Sequence, residues 1–464
     1  LAANGIRVYI YPELMPTPAL SFAVRNLSCS GGIVITASHN PAKYNGYKVY
    51  GADGCQITTK AAKEILAKIN AVDVFSGVKS MKFAKGIEKK RISYIGEETV
   101  RAFIRAVSAQ SLCGDAACDK SVSIVYTPLN GTGLKCVLRC LKENGFTNIS
   151  VVKEQAEPDG HFPTCPYPNP EIREALELGL KEAKRLGSEL LLATDPDCDR
   201  VGIAVKSGDD FVLLTGNEVG MLLLDYICKR RLALKRMPKN PLVVKTIVTI
   251  DMAKRIAADY GVQVIDVLTG FKFIGEQIGF LEKKGEEDRY ILGFEESYGY
   301  LTGSYVRDKD AVNASLMICE MFAYYKAKGQ SLLDVLNGLY TKYGYCLNTL
   351  QCYEFEGASG FQKMQDIMEK LRDSCPKMWI GYRIISVSDY KKSITRYSDG
   401  RVEKIDLPVS NVLKFELENN LSVVVRPSGT EPKLKMYMSV SAGSREEAGN
   451  LEQRLVKVLE AMFV

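Results

Sequence analysis

Ser38 stands in the segment Thr36-Ala37-Ser38-His39-Asn40-Pro41, with Asn45-Gly46-Tyr47-Lys48 just beyond it. The chain has only two histidines, His39 and His161, and no Gly-x-Ser-x-Gly elbow, so Ser38 is not the serine of a hydrolase triad. Phosphoryl chemistry is the more natural use of such a hydroxyl, and for the segment taken alone an ordinary polar loop is the stronger competing reading. A second segment, Thr194-Asp195-Pro196-Asp197-Cys198-Asp199-Arg200, sets carboxylates at alternate positions. On an extended backbone Asp195, Asp197 and Asp199 would project to one side, where their repulsion calls for a hard, oxygen-liking cation such as Mg²⁺. A calcium loop of the EF-hand type is excluded, because it needs glycine where Arg200 stands and an acidic residue where Lys206 stands. A solvated acidic loop without an ion stays open as the alternative.

Two further segments carry recognition chemistry. In Gly293-Phe294-Glu295-Glu296-Ser297-Tyr298-Gly299, Glu295 and Ser297 can exchange hydrogen bonds with sugar hydroxyls. Arg307-Asp308-Lys309-Asp310 follows and can add charge, although a salt bridge at a helix start explains it more readily. In Arg426-Pro427-Ser428-Gly429-Thr430-Glu431-Pro432, a guanidinium, two hydroxyls and the Gly429 backbone N–H can surround a phosphate dianion. A plain Ser-Gly turn is the competing reading.

Each segment needs an element to aim it. Apolar runs bounded by Gly and Pro alternate with stretches of helical period, the pattern of strand-helix units in mixed or parallel sheets. Strand 31–35 delivers the Ser38 loop, strand 190–193 ends on Asp195, and strand 290–294 ends on Glu295. The predicted elements also include strands 7–11, 121–126, 149–152, 242–246 and 262–267, and helices 97–112, 134–141, 171–186 and 252–260. From about residue 345 short strands take over, at 412–415, 422–425 and 436–440, with helices at 360–371 and 445–462. The fold class is α/β: three successive mixed-sheet domains plus a C-terminal α+β domain. The expected boundaries are 1–114, 115–209, 210–344 and 345–464. Ligands of open α/β sheets sit beyond the carboxyl ends of strands, so the polar strand ends imply one composite site in a central cleft.

Composition narrows the function further. At 464 residues, 46% apolar and 25% charged, the chain suits several packed domains rather than disorder. A net charge of +6 spread among mixed signs argues against nucleic acid. No apolar run reaches the roughly 18 residues of a membrane helix and no signal segment opens the chain, which points to a cytoplasmic protein with no membrane partner. Thirteen scattered cysteines, without a His or a second cysteine pair to complete a zinc site, read as reduced, mostly buried thiols. The opening Leu1-Ala2-Ala3-Asn4-Gly5 reads as a last helical turn closed by glycine, as though the front of the first domain were missing.

In this order the four segments resemble the α-D-phosphohexomutases, the phosphoglucomutase/phosphomannomutase family of four domains around a central cleft, and the resemblance covers essentially the whole chain. It implies a phosphotransferase with Ser38 as phosphoserine, and Lys48, with His39 nearby, handling the hydroxyl proton. It implies Mg²⁺ on Asp195, Asp197, Asp199 and a Ser38 phosphate oxygen, and Arg200 facing the phosphoserine and substrate. Glu295 and Ser297 match the sugar-binding Glu-x-Ser, and Arg426, Ser428, Gly429 and Thr430 the loop that grips the non-reacting phosphate. Thr269-Gly270-Phe271-Lys272 resembles the Thr-Gly-Trp-Lys of phosphoglucomutases, which makes Lys272 and Lys309 candidate phosphate contacts. Phe271 and Gly299 stand where dual-specificity relatives often carry histidines, which favours glucose phosphates as substrates. Glucose 1,6-bisphosphate is the implied intermediate and activator, domain closure the implied motion, and a monomer or weak dimer the expected state. Mannose or pentose phosphates, an inactive sugar-phosphate binder, and a phosphatase stay open as alternatives.

Overall fold

Strands that are apolar on both faces become the middle of sheets, and Leu190–Thr194 and Tyr290–Phe294 are buried along their whole length. The computed structural model describes residues 1–114, 118–355, 357–374, 376–428 and 433–461. The chain forms two compact units. One comprises Leu1–Lys245, Gly261–Ile265 and Gly270–Leu332, the other Thr246–Tyr260, Asp266–Thr269 and Leu333–Val464.

In the first unit, Gly31–Ile35 pairs antiparallel with Tyr47–Gly51, bringing Lys48 opposite Val34. Val8–Ile10 pairs parallel with Ile92–Tyr94. Helix Thr17–Asn26 lies close against the first ribbon, because Gly32 has no Cβ to meet Val24, which would stand 2.6 Å away. A five-stranded sheet follows in the order Ile149–Val151, Ile124–Thr127, Leu190–Thr194, Val201–Ser207, Asp210–Leu214, with its first three strands parallel and the last two antiparallel. Helix Arg173–Leu186 buries Ala175, Leu176, Gly179, Leu180 and Ala183, one face at helical spacing. Gly179 lets that helix approach Leu191, which a Cβ would meet at 2.7 Å. Leu191→Ala in this core would cost about 2–5 kcal/mol. Further on, Leu242–Thr246 runs parallel to Tyr290–Phe294, which pairs antiparallel with Tyr300–Leu301, and Gln263–Val267 forms the other edge.

The second unit is built on an antiparallel sheet in the order Tyr345–Glu354, Lys433–Ala442, Leu421–Pro427, Leu413–Leu417, Tyr382–Asp389, Ile394–Tyr397, Val402–Lys404. Met368 and Leu371 of helix Gly357–Asp373 and Leu455 and Leu459 of helix Arg445–Glu460 share one core with Val423, Val425 and Met436 of the sheet. Helix Arg445–Glu460 is started by Ser444, which accepts from Glu447 N, and by acidic residues in its first turn.

Two expectations are corrected. Cys113 and Cys118 form a disulfide in place of the expected thiols, while ten other described cysteines are free. The opening glycine does close a turn, with Gly5 at φ 81°, but the turn is a three-residue 3-10 segment, Ala2–Asn4. The long helices Gly216–Ala233 and Ala311–Lys326 escaped the sequence reading because both are buried on most sides and so lack an amphipathic period. Their caps were visible: Thr215 and Glu218 form a capping box, and Asp310 accepts from Val312 N and Asn313 N.

Candidate active site

The Ser38 loop leaves strand Gly31–Ile35 and returns as Tyr47–Gly51, closed where Thr36 N donates to Gly46 O at 3.1 Å. Glycine is required at 46, since a Cβ there would stand 2.0 Å from Thr36 O. Ser38 itself holds φ 55°, a left-handed conformation unusual for serine, fixed by its N–H donating to Thr36 Oγ1 at 2.8 Å. Local strain of this kind is maintained by surrounding structure and turns the hydroxyl outward from the strand. Ser38 Oγ lies 3.1 Å from His39 Nδ1 and 3.2 Å from Asp195 Oδ2.

The three aspartates converge, but not by strand alternation. The strand ends at Thr194, and a tight turn follows in which Cys198 N donates to Asp195 O at 2.9 Å and Cys198 takes φ 53°. Asp195 Oδ1 accepts from the N–H groups of Asp199 and Arg200 at 3.0 and 2.9 Å, so its side chain organises the turn that carries the others. Gly131 admits this turn, because a Cβ there would meet Pro196 Cα at 2.4 Å. The three carboxylates offer ligand atoms within 4.8 Å of one another and are all buried.

Two lysines answer that charge. Lys48 Nζ lies 2.9 Å from Asp197 Oδ2 and 3.1 Å from Asp199 Oδ2, and Lys309 Nζ lies 2.6 Å from Asp199 Oδ2. Gly299 makes room for Lys309, whose Cδ would be 2.6 Å from a Cβ at that position. Burial opposes the charge on Lys48, yet Asp199 and Asp197 hold it well above the ordinary lysine value. Burial likewise works against Asp199, but Lys309, Lys48 and Arg200 keep its carboxyl below the usual range. Asp195 is pushed well up by burial and by Asp197 and Asp199. His39 is drawn down to about 4 by burial and then by the Arg200 charge, so its imidazole is neutral at physiological pH.

The donor set fits a hard divalent cation. Asp197 Oδ1 and Asp199 Oδ1 are buried without a hydrogen-bond partner, which is costly unless an ion takes them. Three carboxylate oxygens beside a serine oxygen suit Mg²⁺, which favours oxygen ligands and retains open positions for water or phosphate.

Arg200 Nη1 donates to Glu171 Oε1 at 2.8 Å, and Nε stands 4.0 Å from Asp199 Oδ1. Glu295, buried at the end of its strand, accepts from Gly270 N at 2.9 Å and is raised to about 7 by burial and by Glu296. Ser297 is half-buried in the turn after it. Lys272 is half-buried in the first turn of helix Phe271–Glu282, its Nζ 5.3 Å from the centre of the Phe273 ring. Phe271 itself is buried. In the second unit Arg426 hydrogen-bonds Thr269 Oγ1, and Ser428 N donates to Lys433 O at 2.7 Å. Gly429 and Thr430 lie outside the described residues.

Several site residues had no sequence signal. Thr17 reaches Asp197 twice, by Oγ1 to Oδ2 at 3.2 Å and by N to O at 2.9 Å, from the start of helix Thr17–Asn26. Tyr50, two positions after Lys48 on the same strand face, donates to Asp308 Oδ2 at 2.6 Å. Both depend on contacts more than 150 positions apart.

Comparison with known proteins agrees with this geometry. Family models described as phosphoglucomutase/phosphomannomutase alpha/beta/alpha domains I, II and III and C-terminal domain match residues 1–74, 101–208, 215–343 and 385–458. The chain is 36% identical over 449 residues to a phosphoglucomutase of Staphylococcus saprophyticus, covering 96% of this chain and 80% of that one. The fold is similar to that of a Paramecium phosphoglucomutase in its open form, at TM-score 0.69 and 19% identity over 99% of this chain and 83% of the other. It is also similar to Aspergillus fumigatus N-acetylphosphoglucosamine mutase, solved with GlcNAc-6P and magnesium, at TM-score 0.53 and 15% identity over 97% and 93% of the two chains.

Proposed function

The chain belongs to the phosphoglucomutase/phosphomannomutase family, and from that premise we propose that Ser38 carries the phosphoryl group by which this phosphohexomutase interconverts glucose 1-phosphate and glucose 6-phosphate. The observation that carries the reading is the meeting of Ser38 Oγ with Asp195 Oδ2 at 3.2 Å, beside two buried carboxylate oxygens that have no hydrogen-bond partner among the described residues.

In the first half-reaction the Ser38 O–P bond breaks as a bond forms from phosphorus to the free sugar hydroxyl, giving glucose 1,6-bisphosphate and the serine hydroxyl. The proton of the attacking hydroxyl leaves to a neighbouring base, for which neutral His39, 3.1 Å from Ser38 Oγ, is the candidate, while Lys48, held protonated by Asp199 and Asp197, is the candidate donor to the departing Ser38 oxygen. The bisphosphate turns around, and its other phosphoryl group returns to Ser38, so the enzyme ends phosphorylated. Asp195, Asp197 and Asp199 would hold Mg²⁺, which supplies charge stabilisation for the loose phosphoryl transition state. Arg200, Lys309 and Lys272 add fixed positive charge on the protein side. Glu295 and Ser297 accept from and donate to sugar hydroxyls, and Arg426, Ser428, Gly429 and Thr430 grip the phosphate that is not reacting.

Phosphate of either end must be recognised by the same loop, so specificity rests on the sugar-facing residues, where Gly299 and Phe271 favour glucose. A monomer or weak dimer in the cytoplasm is part of the proposal; among the described residues ten free cysteines against one disulfide weigh toward a reducing compartment, and no helix is long and apolar enough to cross a membrane. The test is a coupled assay for conversion of glucose 1-phosphate by wild type and Ser38→Ala, repeated with mannose, glucosamine and ribose phosphates. Turnover of glucose 1-phosphate should exceed that of the others and vanish in the variant; equal turnover by the two proteins removes the phosphoserine, and release of free phosphate in place of isomer makes the protein a phosphatase.

A further inference from the structure

Arg200 has its backbone locked and its side chain not. Its N–H donates to Asp195 Oδ1 and its carbonyl accepts from Asp195 N at 3.2 Å, but a guanidinium on a four-bond stem still needs a partner to fix its direction. The nearest opposite charge within its own turn is Asp199 Oδ1, 4.0 Å from Nε. Left alone, the guanidinium would swing toward that carboxylate and compete with the metal for it. The structure shows a counterweight: Glu171 Oε1 takes Nη1 at 2.8 Å from the other side.

Glu171 is itself held by a constructed approach. The turn Asn169-Pro170-Glu171 precedes helix Arg173–Leu186, with Asn169 Oδ1 accepting from Glu171 N at 3.0 Å and Asn169 O accepting from Ile172 N at 3.1 Å. This turn lies against the strand that begins directly after Arg200. It reaches that strand because residue 202 is glycine, where a Cβ would stand 2.5 Å from Pro170 O. The carboxylate therefore arrives next to Arg200 by backbone packing rather than by a flexible reach. The pair is partly exposed, 17% and 31%, so its contribution to stability is small, of order 1 kcal/mol or less.

We infer that Glu171 is a positioning residue for the mutase reaction: it draws the Arg200 guanidinium off Asp199 and holds it where its remaining N–H groups, which have no acceptor among the described residues, can meet phosphoryl oxygens. The inference rests on the reading of Arg200 as a phosphate-facing residue. No chemical step passes through Glu171; it acts by direction, and a displacement of about 1 Å in such a group can cost up to ~100-fold in rate.

A double-mutant cycle on the full chain separates this role from a structural one. Glu171→Gln keeps the side chain's size and removes its charge; kcat for glucose 1-phosphate should fall about 10- to 100-fold with the melting temperature within about 2 °C of wild type. In the Arg200→Gln background the same change should have no further effect on kcat, and Glu171→Asp in wild type should recover part of the loss. Wild-type kcat in Glu171→Gln, or a full loss from Glu171→Gln added on top of Arg200→Gln, overturns the role of Glu171 while leaving Arg200 in place. Wild-type kcat in Arg200→Gln overturns the reading of Arg200 and the inference with it.

Discussion

Ser38 Oγ donates to Asp195 Oδ2 at 3.2 Å, although 157 positions of sequence separate the two residues. Asp195 is thus both the hinge of its own turn, through Oδ1, and the link to the serine, through Oδ2. Asp195→Asn separates these duties. The amide oxygen can still accept the N–H groups of Asp199 and Arg200, so the turn should persist, while the charge facing Ser38 is lost. Turnover of glucose 1-phosphate should fall by about three orders of magnitude, a scale set by the loss of metal-centred charge stabilisation, with circular dichroism unchanged. Retained turnover would detach Asp195 from the chemistry.

The orphaned oxygens of Asp197 and Asp199 make a prediction about metal that does not depend on activity. A ligand that binds only the folded chain stabilises it by mass action, about 2.7 kcal/mol at a free concentration 100 times its Kd. Mg²⁺ should therefore raise the melting temperature of the chelator-stripped protein, and Asp197→Asn/Asp199→Asn should abolish the rise. A rise of equal size in the double variant would place the ion elsewhere. Chelation should also stop turnover, and added Mg²⁺ should restore it.

How much of this was legible beforehand depends on the range of the interactions involved. Strands 31–35, 242–246 and 290–294 fall where the apolar runs between glycines put them, and their ends deliver Ser38 and Glu295 as expected. The convergence of the aspartates was legible too, but its cause was not: alternation assumes an extended chain, and a turn with Cys198 at positive φ brings the carboxylates together instead. Lys309 was read as a phosphate contact, but its pairing with Asp199, 110 positions away through space that Gly299 leaves open, carried no sequence signal. Thr17, Tyr50 and Glu171 carry no motif at all: the first two acquire their partners only when separate strand-helix blocks pack, and Glu171 meets Arg200 only when its own block folds.

Glu295 predicts a pH dependence. Its folded value of about 7, raised by burial and by Glu296, lies above the ordinary 4.5, so near neutrality the carboxyl is partly protonated. Sugar hydroxyls donate to the ionised form, and kcat/KM should rise with pH through about 7. For stability the sign is the reverse. A raised acid favours the folded state fully below 4.5 and loses that advantage as pH climbs through 7, because the buried charge must then be carried. Glu295→Gln should flatten both profiles between 4.5 and 7. A wild-type kcat/KM profile with no inflection near about 7, or one whose inflection survives the substitution, assigns the titration to another group.

Within the second unit, Arg372 and Asp389 form an ion pair at 3.0 Å with both side chains fully buried. Arg372 also reaches Glu369 Oε1 at 2.9 Å and Asn411 Oδ1 at 2.8 Å, tying helix Gly357–Asp373 to the sheet. Arg372→Leu leaves the Asp389 carboxylate buried without its cation, retaining among the described residues the N–H groups of Lys391 and Lys392 on Oδ1. Removing one partner of a buried pair costs about 3–5 kcal/mol, and these two residual bonds should hold the loss near the lower end. The chain's single tryptophan, Trp379, is buried against Phe415 at 4.7 Å in the same core, so its fluorescence follows this unit alone. Urea unfolding read at Trp379 should shift by about 3 kcal/mol in Arg372→Leu. Arg372→Leu/Asp389→Leu should recover part of that loss, because no charge is then stranded in the core. A shift below about 1 kcal/mol in the single variant would mean that water or a rearranged lysine reaches Asp389, and that the pair does not hold the helix to the sheet.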